Sequence, residues 1–166
     1  ISYLDGEGNV NYSKYDGNSW TVETIDGGIY SSLVIDSSDN LHVLFISPHV
    51  VNKLKYAFYD GASWITETVD YSGTGPVSLA IDSSDNLHVS YLDGEFFDLK
   101  YAFYDGASWT TSIVDNDGTE GIAVFTHPSL VVDSLHSSNH LMQYDLRLEW
   151  IQNFSKLHAP LSINVR

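Results

Sequence analysis

Between Pro76 and Asp115 the apolar residues fall into four short runs, PVSLAID (76–82), LHVSYLD (87–93), LKYAFYD (99–105) and SWTTSIVD (108–115). Gly, Asp, Asn or Ser separates each run from the next. Tyr, Phe, Val, Ile and Thr fill the runs, residue types that suit a pleated surface. Strand side chains alternate between faces, so Tyr101 and Phe103 share one face while Ala102 and Tyr104 take the other. Apolar bulk on both faces predicts a sheet packed on both sides. Asp105-Gly106 is a pair favoured in tight hairpins, because Gly accepts positive φ without steric cost. Ser83-Ser84-Asp85-Asn86 is a cluster of short side chains able to bond their own backbone. The pattern predicts four strands and no helix.

This unit repeats. LKYAFYDGASW stands at 54–64 and again at 99–109, with VNYSKYDGNSW at 10–20 as a relative. Trp20, Trp64 and Trp109 are 44 and 45 residues apart, and SLVIDSSDNLHV at 32–43 returns 46 residues later as SLAIDSSDNLHV. Four short strands in each period of this size predict an all-β fold, a β-propeller of about three four-stranded blades. A string of small β-sandwiches is the alternative. Residues 30–70 and 76–115 make two complete blades. Residues 1–26 supply three strands of another, whose innermost strand is expected from HPSLVVD at 127–133. Three blades are too few for a ring, so either the chain is a piece of a larger protein or copies associate. A homodimer would give six.

YDGASW and YDGNSW resemble a shortened Asp-box, the S-x-D-x-G-x-T-W turn of sialidase-type propellers, with one residue missing between Asp and Gly. The matching positions are Asp16, Gly17 and Trp20, then Asp60, Gly61, Ser63 and Trp64, then Asp105, Gly106, Ser108 and Trp109. Residues 1–133 are also similar to uncharacterised repeat proteins secreted by bacteria and archaea. In Asp-box families the turn stabilises the fold away from the active site, so the resemblance implies a fold and no activity. Trp64 and Trp109 are expected to be buried between blades, as structural residues.

After Asp133 the repeat stops. Leu141, Tyr144, Leu148, Ile151 and Phe154 fall at helical spacing, with Ser137 or Ser138 as N-cap and Pro160 beyond the end. They predict an amphipathic helix from about Asn139 to Leu157, unless 134–166 is a tail with no evolved role.

Charge narrows the partners. Twenty-two acids against seven bases give −15. Up to Asp133 twenty acids face only Lys14, Lys53, Lys55 and Lys100, a balance of −16. Such a surface argues against nucleic acid and anionic membranes. With no cysteine, disulfides and thiolate metal sites are excluded. No run of about 18 apolar residues encodes a membrane span. The opening ISYLDGEG has no basic or apolar leader region.

Candidate chemistry is sparse. A sialidase clamps its substrate carboxylate with arginines, and this chain has only Arg147 and Arg166, both in the tail. A glycosidase needs two unlike carboxylates about 5–10 Å apart, whereas these acids recur at turn positions: Asp36 with Asp82 and Asp133, Asp16 with Asp60 and Asp105. His136 and His140 stand at i, i+4 without the glutamate of a zinc H-E-x-x-H helix. His42 and His88 are equivalent strand positions beside the DSSDN turn. DNDGTE offers Asp115, Asp117 and Glu120 as calcium candidates, without the spacing of an EF-hand loop. No catalytic or cofactor-binding residue stands out.

These features favour a non-catalytic module, extracellular or at the cell surface, that binds a glycan or a protein or builds an assembly. The alternative is a fragment of a propeller glycoside hydrolase or lyase whose catalytic residues lie elsewhere. The non-repeated loops are SPHVVN (47–52), DGEFFD (93–98) and DNDGTEGIAVFTHP (115–128). Mutual repulsion among the acids should be screened by salt. The melting temperature should therefore rise between about 10 mM and 1 M sodium chloride. Calcium should exceed matched ionic strength only if these turns bind it. An unchanged melting temperature would show that repulsion is not felt by the fold.

Overall fold

The computed structural model describes residues 1–48, 51–116, 128–133, 145–148 and 162–164. The described residues are all-β, in antiparallel sheets of three or four strands, and hold no helix. In the first sheet β1 (Ser2–Leu4), β2 (Asn9–Tyr15) and β3 (Trp20–Gly27) pair in that order. The second comprises β4 (Ile29–Ile35), β5 (Leu41–Ser47), β6 (Lys53–Tyr59) and β7 (Trp64–Asp70). The third repeats it with β8 (Thr74–Ile81), β9 (Leu87–Leu92), β10 (Leu99–Tyr104) and β11 (Trp109–Asp115). The fourth holds β12 (Leu130–Asp133), β13 (Asp145–Leu148) and β14 (Ser162–Asn164).

The hairpin ends follow from local chemistry. Gly17, Gly61 and Gly106 have φ of 99°, 94° and 89°, a conformation that side-chain-bearing residues resist. The Asp before each closes the turn; Asp105 Oδ1 accepts the N–H of Ala107 and of Ser108.

Each sheet packs face to face on the next. Leu44, Ile46, Leu54 and Tyr56 of the second sheet are buried against Leu87, Val89, Tyr91 and Ala102 of the third. Val10 of the first is buried against Val43, Phe45 and Ala57 of the second. The junction polar contacts repeat as well. Lys55 pairs with Asp26 across the first junction, and Lys100 with Asp70 across the second. Trp64 Nε1 donates to Glu23 (3.2 Å), as Trp109 Nε1 does to Glu67 (2.8 Å). Tyr12 meets Trp64 edge-on at 5.7 Å between centroids, and Tyr56 meets Trp109 at 5.3 Å. Ser32 Oγ accepts the Leu79 N–H at 3.3 Å, and Ser78 Oγ the Leu130 N–H at 3.1 Å.

Three expectations differ from the structure. Trp64 and Trp109 are half-buried, because each ring seats one side on a junction while its N–H reaches a carboxylate at the rim. The strand expected from HPSLVVD to complete the sheet of residues 1–26 does not do so in its described part: β12 pairs with β13 and lies in a different sheet from β1. Inside the helix expected over 139–157, Asp145–Leu148 is a strand in register with β12, Leu130 opposite Leu148. Leu146-Arg147-Leu148 alternates at period two, and β12 offers an edge of unpaired backbone groups that a strand satisfies and a helix cannot. The rest of that span lies outside the described residues.

Trp109→Ala should cost about 2–3 kcal/mol, less than the roughly 3–5 of a fully buried tryptophan. Trp109→Phe should recover most of it, losing mainly one partly exposed hydrogen bond worth about 1 kcal/mol. Urea unfolding of both variants checks this; an alanine variant as stable as the parent would remove Trp109 from the junction.

Candidate functional site

The repeated acids and histidines form closed networks. In the second sheet Asp36 Oδ1 accepts the N–H of Ser38 and of Asn40, each at 2.8 Å. Its Oδ2 takes the Asn40 amide (2.8 Å) and His42 Nε2 (3.2 Å), and His42 Nδ1 meets the Tyr56 hydroxyl at 2.7 Å. Asp82, Asn86, His88 and Tyr101 repeat the arrangement in the third sheet. Against the upward push of burial, the Asn40 side chain and backbone, His42 and Ser38 hold the Asp36 carboxyl down at about 2. Burial also opposes ionisation of Asp82, yet Asn86, Ser84 and His88 lower its pKa overall. Desolvation lowers the His88 pKa, only partly offset by Asp82. The neutral ring therefore donates from Nε2 to the carboxylate and accepts the tyrosine proton at Nδ1. Asp–His–Tyr is a catalytic-looking chain, but both copies have every imidazole nitrogen engaged and the ring buried.

The hairpin turns at one end of the sheets are thus saturated by their own bonds. A link also joins neighbouring turns, from Ser37 N–H to Asp85 Oδ1 at 2.9 Å.

The opposite end differs. There lie the loops 5–8 and 93–98, together with the 71–73 link between the second and third sheets. Ser72 Oγ donates to Asp93 (2.7 Å) and accepts the Gly94 N–H (3.0 Å), tying the last two loops together. A Cβ on Gly73 would lie 2.9 Å from Ile46 Cδ1, so a side chain there would have to push that methyl aside. Beneath them Lys100 is shared between Asp70 and Asp93, and the Tyr91 hydroxyl donates to Asp70 at 2.6 Å. Large apolar side chains stand out into solvent from these loops: Tyr71 is 72 % exposed, Phe96 59 % and Phe97 42 %. Lys53 Nζ sits 5.1 Å from the Tyr71 ring centre. Phe97 holds φ at 60°, left-handed and unusual for an aromatic residue. Asp93 fixes it by accepting the N–H groups of Glu95 and Phe96 and by donating its own to the Asp98 carbonyl.

Asp16, Asp60 and Asp105, with Gly17, Gly61 and Gly106, make hairpin turns, and Trp64 and Trp109 make junctions. Trp20, at the same repeat position, is 55 % exposed. Asp115 ends β11 at the surface. Asp117, Glu120, His136 and His140 lie outside the described residues. Among the described residues no three or more His, Cys, Asp or Glu side chains gather as a metal site, and no helix is long and apolar enough to cross a membrane. The sequence marked 93–98 as non-repeated; nothing in it marked Tyr71, whose loop adjoins 93–98 only in the fold.

No family model matches the chain, and no curated protein matches it. Among solved structures it is similar to a fucose lectin from Kordia zhangzhouensis in complex with methyl-fucoside. The TM-score is 0.44 and the identity 18 %, over 67 % of this chain and 95 % of the lectin.

The histidine networks set a pH dependence. A lowered His88 pKa means that the unfolded chain binds the proton more readily. Its stabilisation is complete above about 6.5 and is lost as pH falls below that value. Asp36 adds a lower step, present above its ordinary 3.8 and lost as pH falls toward about 2. Thermal unfolding from pH 8 to 3 should show both losses. His88→Gln should flatten the upper one; an unchanged profile in that variant would show that His88 does not titrate between the two states.

Proposed function

We propose that the chain is an arc of a β-propeller that works outside the cell as a non-catalytic module and binds neutral carbohydrate at its variable-loop end. Phe97 carries this reading. It is an exposed aromatic ring held at positive φ on a non-repeated loop, beside Phe96 and next to the loop of Tyr71. A strained backbone persists where the surroundings enforce it, and such positions cluster at ligand sites. Flat aromatic faces suit the apolar face of a sugar ring, and Glu95, Asp98 and Lys53 nearby offer acceptors and a donor for its hydroxyls. The net charge of −15 repels sialylated or sulfated glycans and leaves neutral ones. The D-G-x-S-W turns fit a shortened Asp-box, and two associated chains would supply a six-bladed ring.

A glycan array followed by calorimetric titration tests the reading. Neutral glycans should bind and anionic ones should not. Phe97→Gly removes the ring and suits the left-handed backbone, so it should weaken binding by about tenfold, roughly 1.4 kcal/mol, with an unchanged or higher melting temperature. Absence of glycan binding, or full binding by Phe97→Gly, would overturn the proposal.

A further inference from the structure

The first sheet is short of one strand. In the second and third sheets the second strand pairs with a first strand, β5 with β4 and β9 with β8. β1 is a second strand by sequence, since SYLDGE at 2–7 repeats SYLDGE at 90–95. Among the described residues β1 pairs only with β2, leaving the other edge, where β8 borders β9, without a strand. An unpaired edge presents backbone donors and acceptors to any strand of matching register.

A strand of the right kind exists in the chain. SLVVD at 129–133 repeats SLVID at 32–36 and SLAID at 78–82. β12 also occupies a first-strand position, because Leu130 donates to Ser78 Oγ as Leu79 donates to Ser32 Oγ. A second strand of the repeat type does not stand beside it; β13, from the non-repeating tail, does. One chain therefore has a first strand after its third sheet, and second to fourth strands before its second sheet.

We infer that two copies complete each other: β12 of one copy pairs with β1 of the other, in the place that β13 holds in the single chain. Reciprocal exchange joins β12 to β1, β2 and β3 twice, giving six four-stranded sheets in a closed, two-fold ring. The side chains agree with this docking. Tyr3, Tyr15, Trp20 and Val22 are exposed on one face of the first sheet, which the register of β1, β2 and β3 assigns to them jointly. That face corresponds to the one Trp64 and Trp109 turn toward the preceding sheet. Across the new junction Trp20 would meet Tyr101, as Trp64 meets Tyr12 and Trp109 meets Tyr56. Its indole N–H would meet Ser112, which stands where Glu23 and Glu67 stand. The inference deepens the paired-chain ring proposed above and is independent of the carbohydrate.

The register of β8 and β9 sets Ser78 opposite Ser90, so Ser129 should lie opposite Ser2 of the other copy. The chain has no cysteine, so two full-length single variants, Ser2→Cys and Ser129→Cys, can be mixed and treated with a short bis-maleimide. The expected results are a light-scattering mass twice 18.5 kDa for the parent chain and a covalent heterodimer from the mixture. Trp20→Ala should lower the dimer affinity at least tenfold while leaving the dissociated chain folded. A dimer without the Ser2–Ser129 crosslink overturns the strand assignment and leaves the paired-chain reading standing. A folded monomer at all concentrations overturns both, and leaves glycan binding through Phe97 untouched.

Discussion

The contact on which everything else rests is the face of one sheet against the next. Every complete sheet carries apolar side chains on both faces, so none can satisfy itself alone, and each neighbour must arrive in one register. The register is set by charge as well as shape. Lys55 and Lys100 are drawn into the junctions, each paired with an aspartate of the preceding sheet and each near an aromatic ring, Phe45 at 5.7 Å and Tyr91 at 5.6 Å. A half-buried ion pair adds little to stability against an apolar alternative, but a shifted register would strand both charges. The lysine contact therefore acts mainly by excluding wrong stacking.

The same principle separates what could be read in the sequence from what could not. Strands and turns were legible because their causes are local: period-two alternation, Asp-Gly at the hairpins, DSSDN at the inner turns. The second and third sheets span Ile29–Asp70 and Thr74–Asp115. Partner choice was not legible. SLVVD announces a first strand, and its sequence cannot say whether β1 or Leu146-Arg147-Leu148 stands beside it. His42 and His88 were recognisable as equivalent positions. Their tyrosines were hidden because Tyr56 and Tyr101 reach the rings only across the pairing of β5 with β6 and β9 with β10.

The acidic composition has a local explanation for many of its members. Asp16, Asp60 and Asp105 accept backbone N–H groups in hairpin turns, and each has its pKa lowered chiefly by that bond, from Ser19, Ser63 and Ser108 respectively. An aspartate used as a turn acceptor must stay ionised, so every added repeat adds charge as a by-product of closing its turns. The acidic surface is to this extent a consequence of folding.

Repetition also explains where function has room to arise. At the hairpin end, the aspartates of DSSDN and DGASW accept backbone N–H groups of their own turns, so a substitution of either aspartate breaks the turn itself. At the other end the loops 5–8 and 93–98 both open on Asp-Gly-Glu and then differ in length and residue type, although the strands that flank them match. Divergence is tolerated there because the connection is anchored below it, by Asp93 on Glu95 and Phe96 and by Ser72 on Gly94. Phe97 sits on that anchor at a backbone angle that glycine or asparagine adopts more readily. A fold made of near-copies varies most freely in its connections, and Tyr71, Phe96 and Phe97 stand exposed at that end, as Tyr15 and Trp20 do beside the first hairpin turn.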